Sequence, residues 1–350
     1  MGTGFGINML YSLCRSGAFQ CVWVTTTCLL IIGWCATSCK QASLQVESTQ
    51  IQKEAILYPT IDGAWWVVAS NPDLGTLSTG NQQPVDFGIW EASDGSWQIW
   101  SCIRHTGEGG KTRLFHRWEG LNLTDTAWMP MGITFRADPG LGEQEGGMQA
   151  PYVIKNDREY LMFYGDWNRI CLARSMDGKN FNRVLRKGSP ALFGELAETN
   201  TRDSMVLQID TTWYCYYTAH PNNIGAVYVR TSDDLISWSS SIMVAFGGQA
   251  GNDKFWYAEC PFVVNYDNYY YHFRTQSYGQ GLKNKGKNIQ KTSVYRSNDP
   301  TNFGIEDDRF FLRTLPISAP EIIENQGVWY IAALTPDLDG IRIARLKWSK

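Results

Sequence analysis

The stretch WYAECPFVVNYDNYYYHFRTQ, residues 256–276, contains the unit from which the fold of this chain can be predicted. The apolar run PFVVNY is followed by the turn-forming pair Asp267 and Asn268, and then by a second run in which aromatic residues recur. Two short runs of this composition on either side of a polar turn are typical of a β-hairpin. The stretch therefore predicts two antiparallel strands, with Glu259 at the beginning of the first.

The same unit recurs along the chain. Four other polar turns lead into strands of period-two hydrophobicity: DGSWQIWSCIR from Asp94, NDREYLMFYGDW from Asn156, DTTWYCYYTAH from Asp210 and NQGVWYIAAL from Asn325. A third strand follows and often ends in an arginine, an aspartate and an aromatic residue, as in ICLARSMDGKNF (170–181), AVYVRTSDDLISW (226–238) and SVYRSNDPTNF (293–303). Each unit is predicted to be an antiparallel meander of three or four strands.

The units are spaced almost evenly. Their first strands open at Asp86, Ala150, Asp203, Glu259 and Pro320, at intervals of 64, 53, 56 and 61 residues. Five similar units with no helical period between them predict an all-β protein with a five-bladed β-propeller. A β-sandwich is the alternative, but it would not contain five similar units.

Three regions follow from this pattern. Residues 80–350 are predicted to form the propeller, which is also the candidate catalytic domain. The segment YPTIDGAWWVVAS (58–70) has the pattern of a strand without a partner, whereas the last unit shows only three strands. We therefore expect residues 40–79 to contain a linker and a strand that closes the ring as the outer strand of the last blade.

Residues 1–39 are interpreted as a signal peptide. Arg15 precedes the apolar run CVWVTTTCLLIIGWCA (21–36), which at 16 residues is short for a membrane span. The following ATSC is similar to a bacterial lipoprotein cleavage box, in which Cys39 would be lipidated. Ordinary signal cleavage and a retained anchor helix are the alternatives. We expect an exported protein, either secreted or held at the cell envelope by a lipid on Cys39.

The amino-acid composition limits the classes of partner that the protein can bind. A net charge of −3 gives no basic surface for nucleic acid, while 15 Trp and 17 Tyr can form sugar-binding platforms or fill the core. The cysteines outside the leader, Cys102, Cys171, Cys215 and Cys260, form no CxxC pair. They are predicted to be free thiols, mostly buried, and neither a metal nor a cofactor is expected.

Polar groups are expected to converge on one face of the propeller. The first strand of each blade lines the central channel and the second runs back beside it, so the beginning of one and the end of the other share a rim. The predicted substrate-binding residues are Trp90, Arg104, His105, Gln149, Asp166, Trp167, Arg202, His220, Trp256 and Arg274.

Three acids at strand beginnings suggest a reaction. Glycosidic bond cleavage needs one carboxylic acid to protonate the leaving oxygen and one carboxylate to attack or to activate water. Partial burial behind aromatic residues would keep Glu259 protonated, and Asp86 would be the ionised carboxylate. Asp203 would position the sugar and, by its charge, help Glu259 hold its proton. A turn-capping role for the aspartates and a solvated role for the glutamate are the plain alternatives.

The motifs resemble those of the five-bladed glycoside hydrolases of families 43 and 62 and the related families 32 and 68. QAPYVI (149–154) is similar to a second-blade motif of family 43, and TRDS (201–204) and AECP (258–261) are similar to motifs of family 32. The resemblance implies that Asp86 is the base or nucleophile, Asp203 the auxiliary acid and Glu259 the general acid.

The implied activity is hydrolysis of plant or algal oligosaccharides and polysaccharides, in the manner of an arabinofuranosidase or xylosidase, with a preference for inversion. A retaining, fructosidase-like hydrolase and a non-catalytic carbohydrate-binding propeller are the alternatives. A lectin would repeat its site in most blades, whereas this rim differs from blade to blade.

Overall fold

The computed structural model describes residues 55–195, 200–248, 257–277 and 290–350. These residues form five antiparallel sheets, and the prediction of an all-β, five-bladed propeller is confirmed. The helical segments found within these ranges are the 3-10 turns Gly75–Leu77, Pro139–Leu141 and Pro221–Asn223. Over the same residues, no helix combines the length and the apolar character that crossing a membrane requires.

Blades one, three and four are continuous meanders in which strand order follows chain order from the axis outward, whereas in blade two the last two short strands both pair with the third strand. Blade one contains β2 (Gln83–Glu91), β3 (Trp97–Arg104), β4 (Leu114–Gly120) and β5 (Met129–Phe135). Blade two contains β6 (Gln149–Asn156), β7 (Glu159–Gly165), β8 (Ile170–Ser175), β9 (Asn182–Arg183) and β10 (Ala191–Phe193). Blade three contains β11 (Arg202–Ile209), β12 (Thr212–Ala219), β13 (Ala226–Ser232) and β14 (Ile242–Ala245). Blade four contains β15 (Glu259–Tyr266), β16 (Tyr269–Ser277), β17 (Gln290–Ser297) and β18 (Phe311–Leu315).

The fifth blade joins the two ends of the propeller. It consists of β19 (Glu321–Asn325), β20 (Val328–Leu334) and β21 (Gly340–Ser349), with β1 (Tyr58–Ser70) as its outermost strand. Strand β1 runs antiparallel to β21, from the pair Tyr58 and Ser349 to the pair Ser70 and Gly340. The amino-terminal strand therefore closes the ring, in the place that the sequence pattern indicated. The β1–β21 ladder completes the last blade with a strand from the other end of the propeller and so ties the two ends together.

The inner strands form a ring around the axis, because each of β2, β6, β11, β15 and β19 contacts the next and β19 contacts β2. The aromatic residue that ends each of these patterns packs on the preceding blade, and Phe303 also contacts His272 of its own sheet, with ring centroids 4.7 Å apart. Phe181 of blade two lies 5.9 Å from Trp90 of blade one, and Phe303 lies 6.3 Å from Tyr216 of blade three, between ring centroids. These contacts supply much of the apolar area buried between blades.

Four of the five inner strands begin with a β-bulge, and the residue at the bulge has a positive φ. The φ angles are 35° at Asp86, 40° at Ala150, 57° at Asp203 and 47° at Cys260, and Ala319, just before β19, has 49°. Register shifts accompany the first four. A bulge redirects a side chain at the cost of local strain, about 1–3 kcal/mol for a non-glycine residue in this region. The repeated strain turns five equivalent side chains toward the axis.

Candidate active site

A cavity that is partly open to solvent lies where the five inner strands begin. The wall contains the bulge residue and its successor from four blades and two residues of the fifth: Asp86, Phe87, Ala150, Pro151, Asp203, Ser204, Cys260, Pro261, Ala319 and Glu321. The two alanines leave the space that larger side chains would fill.

The bulges correct one part of the sequence analysis. The residue of blade four that is structurally equivalent to Asp86 and Asp203 is Cys260, not Glu259, and the residue of blade five is Ala319, not Pro320. The strand starts predicted from the sequence differ from these positions by one residue. A bulge adds one residue to a strand, and a period-two pattern does not show where. Glu259 therefore precedes the position that faces the axis.

Asp86 and Asp203 come together across blades one and three. One carboxylate oxygen of each and Sγ of Cys260 all lie within 4.8 Å of one another. The backbone N–H of Cys260 donates to Asp203 Oδ2 over 3.1 Å, and its thiol donates to Asp86 Oδ1 over 3.5 Å. Of the three acids predicted to gather at the axis, the structure brings Asp86 and Asp203 together at the cavity, whereas Glu259 is not among the residues that line it.

Cys260 is held as a neutral thiol. Burial, reinforced by the negative charges of Asp203 and Asp86, raises the pKa of Cys260 well above its ordinary value. A thiol must lose its proton to bind a metal ion, so this group is better suited to donating a hydrogen bond to a carboxylate than to coordination. We assign no metal to these three side chains. Cys102, Cys171 and Cys215 are buried free thiols in the sheets, as expected.

Asp203 is buried and lies between opposing influences. Burial raises the pKa of its carboxyl group, the positive charge of Arg202 lowers it, and the negative charge of Asp86 raises it again. The net direction is upward. Two carboxyl groups this close resist simultaneous ionisation, which agrees with the raised pKa of Asp203.

Glu259 is buried at 6% exposure and pairs with Arg202. The same guanidinium approaches Asp203, with Nε 3.4 Å from Oδ1, and its Nη1 lies 3.3 Å from Nδ1 of His220. Although burial alone would lower it, the negative charges of Asp203 and Glu259 raise the pKa of Arg202. Burial of Glu259 and the charge of Asp203 were expected from the sequence to keep Glu259 protonated. The structure adds a cationic partner, which favours the carboxylate form.

Glu321 also lines the cavity, although it is not among the residues predicted from the sequence. It lies two residues after Ala319, at the position that Gly88, Tyr152, Met205 and Phe262 hold in the other inner strands. Burial, followed by the negative charge of Asp86, raises the pKa of Glu321 well above its ordinary value. The available signal was an acidic residue at a strand position that is apolar or glycine in the other four units.

Some predicted binding residues lie near the cavity. Arg104 donates from Nε and Nη2 to Oε1 of Gln83, at 3.0 and 2.7 Å. Burial lowers the pKa of Arg104, and the charge of Asp86 opposes that effect, which places the guanidinium close to Asp86. His105 follows at the exposed end of β3, and the buried amide of Gln149 donates to Oδ1 of Asn200 over 2.9 Å.

Other predicted binding residues have structural partners. Asp166 is fully buried and accepts from the backbone N–H groups of Asn168 and Arg169 and from the Arg169 side chain. Trp167 packs beneath the cations of Lys111 and Arg113, with its ring centroid 4.7 and 5.1 Å away. Both residues stabilise the loop after β7.

Trp90 and Arg274 do not line the cavity. Trp90 is buried between blades one and two, where its indole N–H donates to the carbonyl of Gly178. Arg274 is fully buried and donates to the carbonyl of Gly247 and the hydroxyl of Tyr295. Interblade packing explains both, and a strand-end position alone does not determine which way a side chain points. Trp256 and Cys39 lie outside the described residues.

Comparison with solved structures identifies the same architecture in carbohydrate-active enzymes. A thermostable family-43 glycoside hydrolase aligns with a TM-score of 0.56 at 17% identity, over 80% of this chain and 91% of that chain. An endo-arabinase from Bacteroides thetaiotaomicron aligns with a TM-score of 0.58 at 12% identity, over 81% and 97%. A GH32 β-fructofuranosidase from Bombyx mori aligns with a TM-score of 0.56 at 16% identity, over 80% of this chain and 61% of that chain.

At these identities the comparison shows a shared fold, and it confirms the resemblance to families 43 and 32 at that level. No family model and no curated protein sequence matches this chain.

Proposed function

We propose that this protein is a glycoside hydrolase. The observation that carries the proposal is the meeting of Asp86 and Asp203, whose carboxylate oxygens lie within 4.8 Å at an open axial cavity, with Glu259 joined to them through Arg202. Cleavage of a glycosidic bond requires carboxyl groups in different protonation states at one site, and unequal environments provide that difference. Solved structures with this fold include arabinanases, a xylanase and a fructofuranosidase, which supports the same class.

The proposed roles follow the positions of the acids. Asp86, half-buried and hydrogen-bonded by the Cys260 thiol, acts as the base or nucleophile. Glu259 acts as the general acid, and Asp203 orients the sugar and holds a proton near Glu259. Because Arg202 pairs with both Glu259 and Asp203, we infer that a bound sugar draws Arg202 toward Asp203 and leaves Glu259 free to carry a proton.

The proposed substrates are plant or algal oligosaccharides and polysaccharides that contain arabinofuranosyl or xylosyl residues. Similar structures include an exo-1,5-α-L-arabinanase and an α-L-arabinofuranosidase, which supports this substrate class. A β-fructofuranoside is the second candidate. The cysteine directly after Glu259 and the fold shared with a GH32 enzyme favour it.

The test is a screen of p-nitrophenyl glycosides, sucrose and arabinan with the purified protein and its Glu259→Gln variant. The proposal requires that the wild-type protein release sugar from at least one of these substrates. On arabinan or sucrose, whose leaving groups need a proton, the Glu259→Gln variant should bind the sugar without turnover. Equal hydrolysis of arabinan or sucrose by both proteins contradicts the assignment of Glu259. Sugar binding without hydrolysis by the wild-type protein indicates the non-catalytic alternative.

We also propose export, on the sequence of the leader alone, with Cys39 as the lipidated residue. Residues 1–54 lie outside the described part of the chain. Metabolic labelling with a palmitate analogue tests this, because label should appear on the wild-type protein and be absent from a Cys39→Ala variant. Label on both proteins, or on neither, rejects lipidation at Cys39.

A further inference from the structure

The cavity contains a carboxyl group to which the three-acid mechanism gives no role. Glu321 lines the same wall as Asp86 and Asp203 and enters from blade five, which neighbours blade one. The residue keeps some exposure through the cavity, but its carboxyl group is surrounded by protein. A buried carboxyl group needs either a cationic partner or a proton.

The two arginines described near the cavity, Arg202 and Arg104, bind other groups. Arg202 pairs with Glu259 and approaches Asp203, while Arg104 donates both of its hydrogen bonds to Gln83 and lies on the side of Asp86.

The titratable side chains that line the cavity together with Glu321 are acidic or neutral: Asp86 from β2, Asp203 from β11 and the thiol of Cys260 from β15. On β20 the residue paired with Glu321 is Ala332, and burial, followed by the charge of Glu321, raises the pKa of the Tyr152 phenol on β6. The charge of Asp86 acts on Glu321 repulsively. An ionised Glu321 would add a further negative charge to a cavity wall that already contains Asp86 and Asp203.

We propose that Glu321 is an additional substrate-binding residue, which stands in the cavity as an uncharged carboxylic acid and donates a hydrogen bond to an oxygen of the bound sugar. The inference rests on the proposed function and extends it. A protonated carboxyl group is a donor, whereas an ionised one only accepts, so Glu321 and Asp86 would contact different sugar oxygens. The raised pKa of Glu321 agrees with this state.

The proton on Glu321 has a consequence that needs no substrate. A carboxyl group whose pKa is higher in the folded than in the unfolded protein contributes stability that is complete below the unfolded value, about 4.3. That contribution falls as the pH rises toward the folded value, because the unfolded chain then releases a proton that the folded protein retains. Glutamine has nearly the same shape and no proton to lose.

The first arm of the test compares thermal midpoints of the wild type and Glu321→Gln from pH 4 to pH 8. The inference requires that the variant gain stability relative to the wild type as the pH rises. Glu324→Gln is the matched control, since Glu324 lies on the same strand, is exposed and accepts only a turn hydrogen bond from Gly327. It should show no such trend. Parallel curves for Glu321→Gln and the wild type overturn the inference.

The second arm measures kcat and KM on the p-nitrophenyl glycoside that the wild type cleaves best, and calorimetric binding of L-arabinose, D-xylose and D-fructose. Glu321→Ala should lose about tenfold in kcat/KM, the value of one hydrogen bond, mainly through KM. Glu321→Gln keeps a hydrogen-bond donor, so its kcat/KM should stay within about threefold of the wild-type value at pH 6. The pH above which kcat/KM falls should be higher for this variant than for the wild type. An alanine variant equal to the wild type overturns the binding role.

The two arms separate the possible failures. If the stability arm succeeds and the wild type neither cleaves nor binds any of these sugars, Glu321 holds its proton but the substrate role is overturned with the proposed function. If hydrolysis occurs and the stability arm fails, the proposed function stands and the inference about Glu321 is overturned.

Discussion

Arg202 of β11 pairs with Glu259 of β15, and through this contact a single buried guanidinium joins blade three to blade four at the edge of the cavity. The same side chain lies 3.4 Å from Asp203, so one cation serves two buried acids. Both acids are at least nine-tenths buried, and neither could remain ionised at low cost without it. Arg202 therefore supports the fold and the chemistry together.

Replacing Arg202 with methionine should lower the free energy of unfolding at neutral pH by about 3–5 kcal/mol, because it leaves buried carboxylates without their partner. Chemical denaturation of the purified variant measures the change. Arg309→Met is the control, since Arg309 is 69% exposed and its pairing with Asp307 lies at the surface, where such pairs contribute at most about 1 kcal/mol. A loss no larger in Arg202→Met than in this control would contradict the ion-pair argument.

The leaving group of the substrate distinguishes Glu259 from Asp203 as the general acid. A variant without its acid should still cleave an aryl glycoside whose leaving group needs no proton, while losing roughly 10²–10⁴-fold on a natural oligosaccharide. We expect this pattern for Glu259→Gln, and similar losses on both substrates for Asp203→Asn.

Steady-state rates on 2,4-dinitrophenyl and alkyl glycosides of the same sugar test that assignment. The opposite pattern would transfer the acid role to Asp203, whose pKa is raised by burial and by Asp86.

The stack between blades four and five should contribute strongly to stability. Tyr266 and Trp348 lie with ring centroids 4.2 Å apart and an angle of 13° between their planes. Trp348→Ala should lower the free energy of unfolding by about 3 kcal/mol, a value typical of removing a large aromatic group from a packed contact. Lys347→Ala, at the exposed neighbouring position, should change it by less than about 0.5 kcal/mol. Equal denaturation midpoints for the two variants would show that the stack contributes little to the free energy of unfolding.

The fold could be predicted from sequence because its signals are local and repeated. Each hairpin has its own turn residues, and each inner strand has its own apolar run. Because the unit occurs five times, the repeat can be recognised although each copy is irregular. The outer strand of the last blade could also be placed, since an unpaired strand at one end and a missing strand at the other are both readable. Contacts between blades were harder to predict from the sequence. Phe181, for example, packs on the neighbouring blade.

The site was predictable only in part. Asp86 and Asp203 could be placed at the axis from their repeat positions, and the structure brings them together. The exchange of Glu259 for Cys260 at the axial position depends on a backbone bulge, which no residue pattern in blade four announces. Pairing between distant side chains, such as Glu259 with Arg202, also depends on rotamers that only the assembled blades determine.

The stereochemical course gives the most direct test of the role of Asp86. Proton NMR of the first product formed should show the anomer opposite to that of the substrate, since the proposed arabinofuranosidase-like reaction uses Asp86 to activate water. Asp86→Asn should then lose roughly 10²–10⁴-fold in kcat, the contribution of a general base.

If the anomer is retained, Asp86 is a nucleophile, and a slow substrate should trap a covalent adduct on it that intact-protein mass spectrometry detects. An Asp86→Asn variant with unchanged turnover would exclude both roles. The matched variant is Asp94→Asn, because Asp94 lies in the turn between β2 and β3, at the other end of the same hairpin, and pairs with Lys179. Full activity in that control would show that the loss arises in the cavity and not from disturbance of blade one.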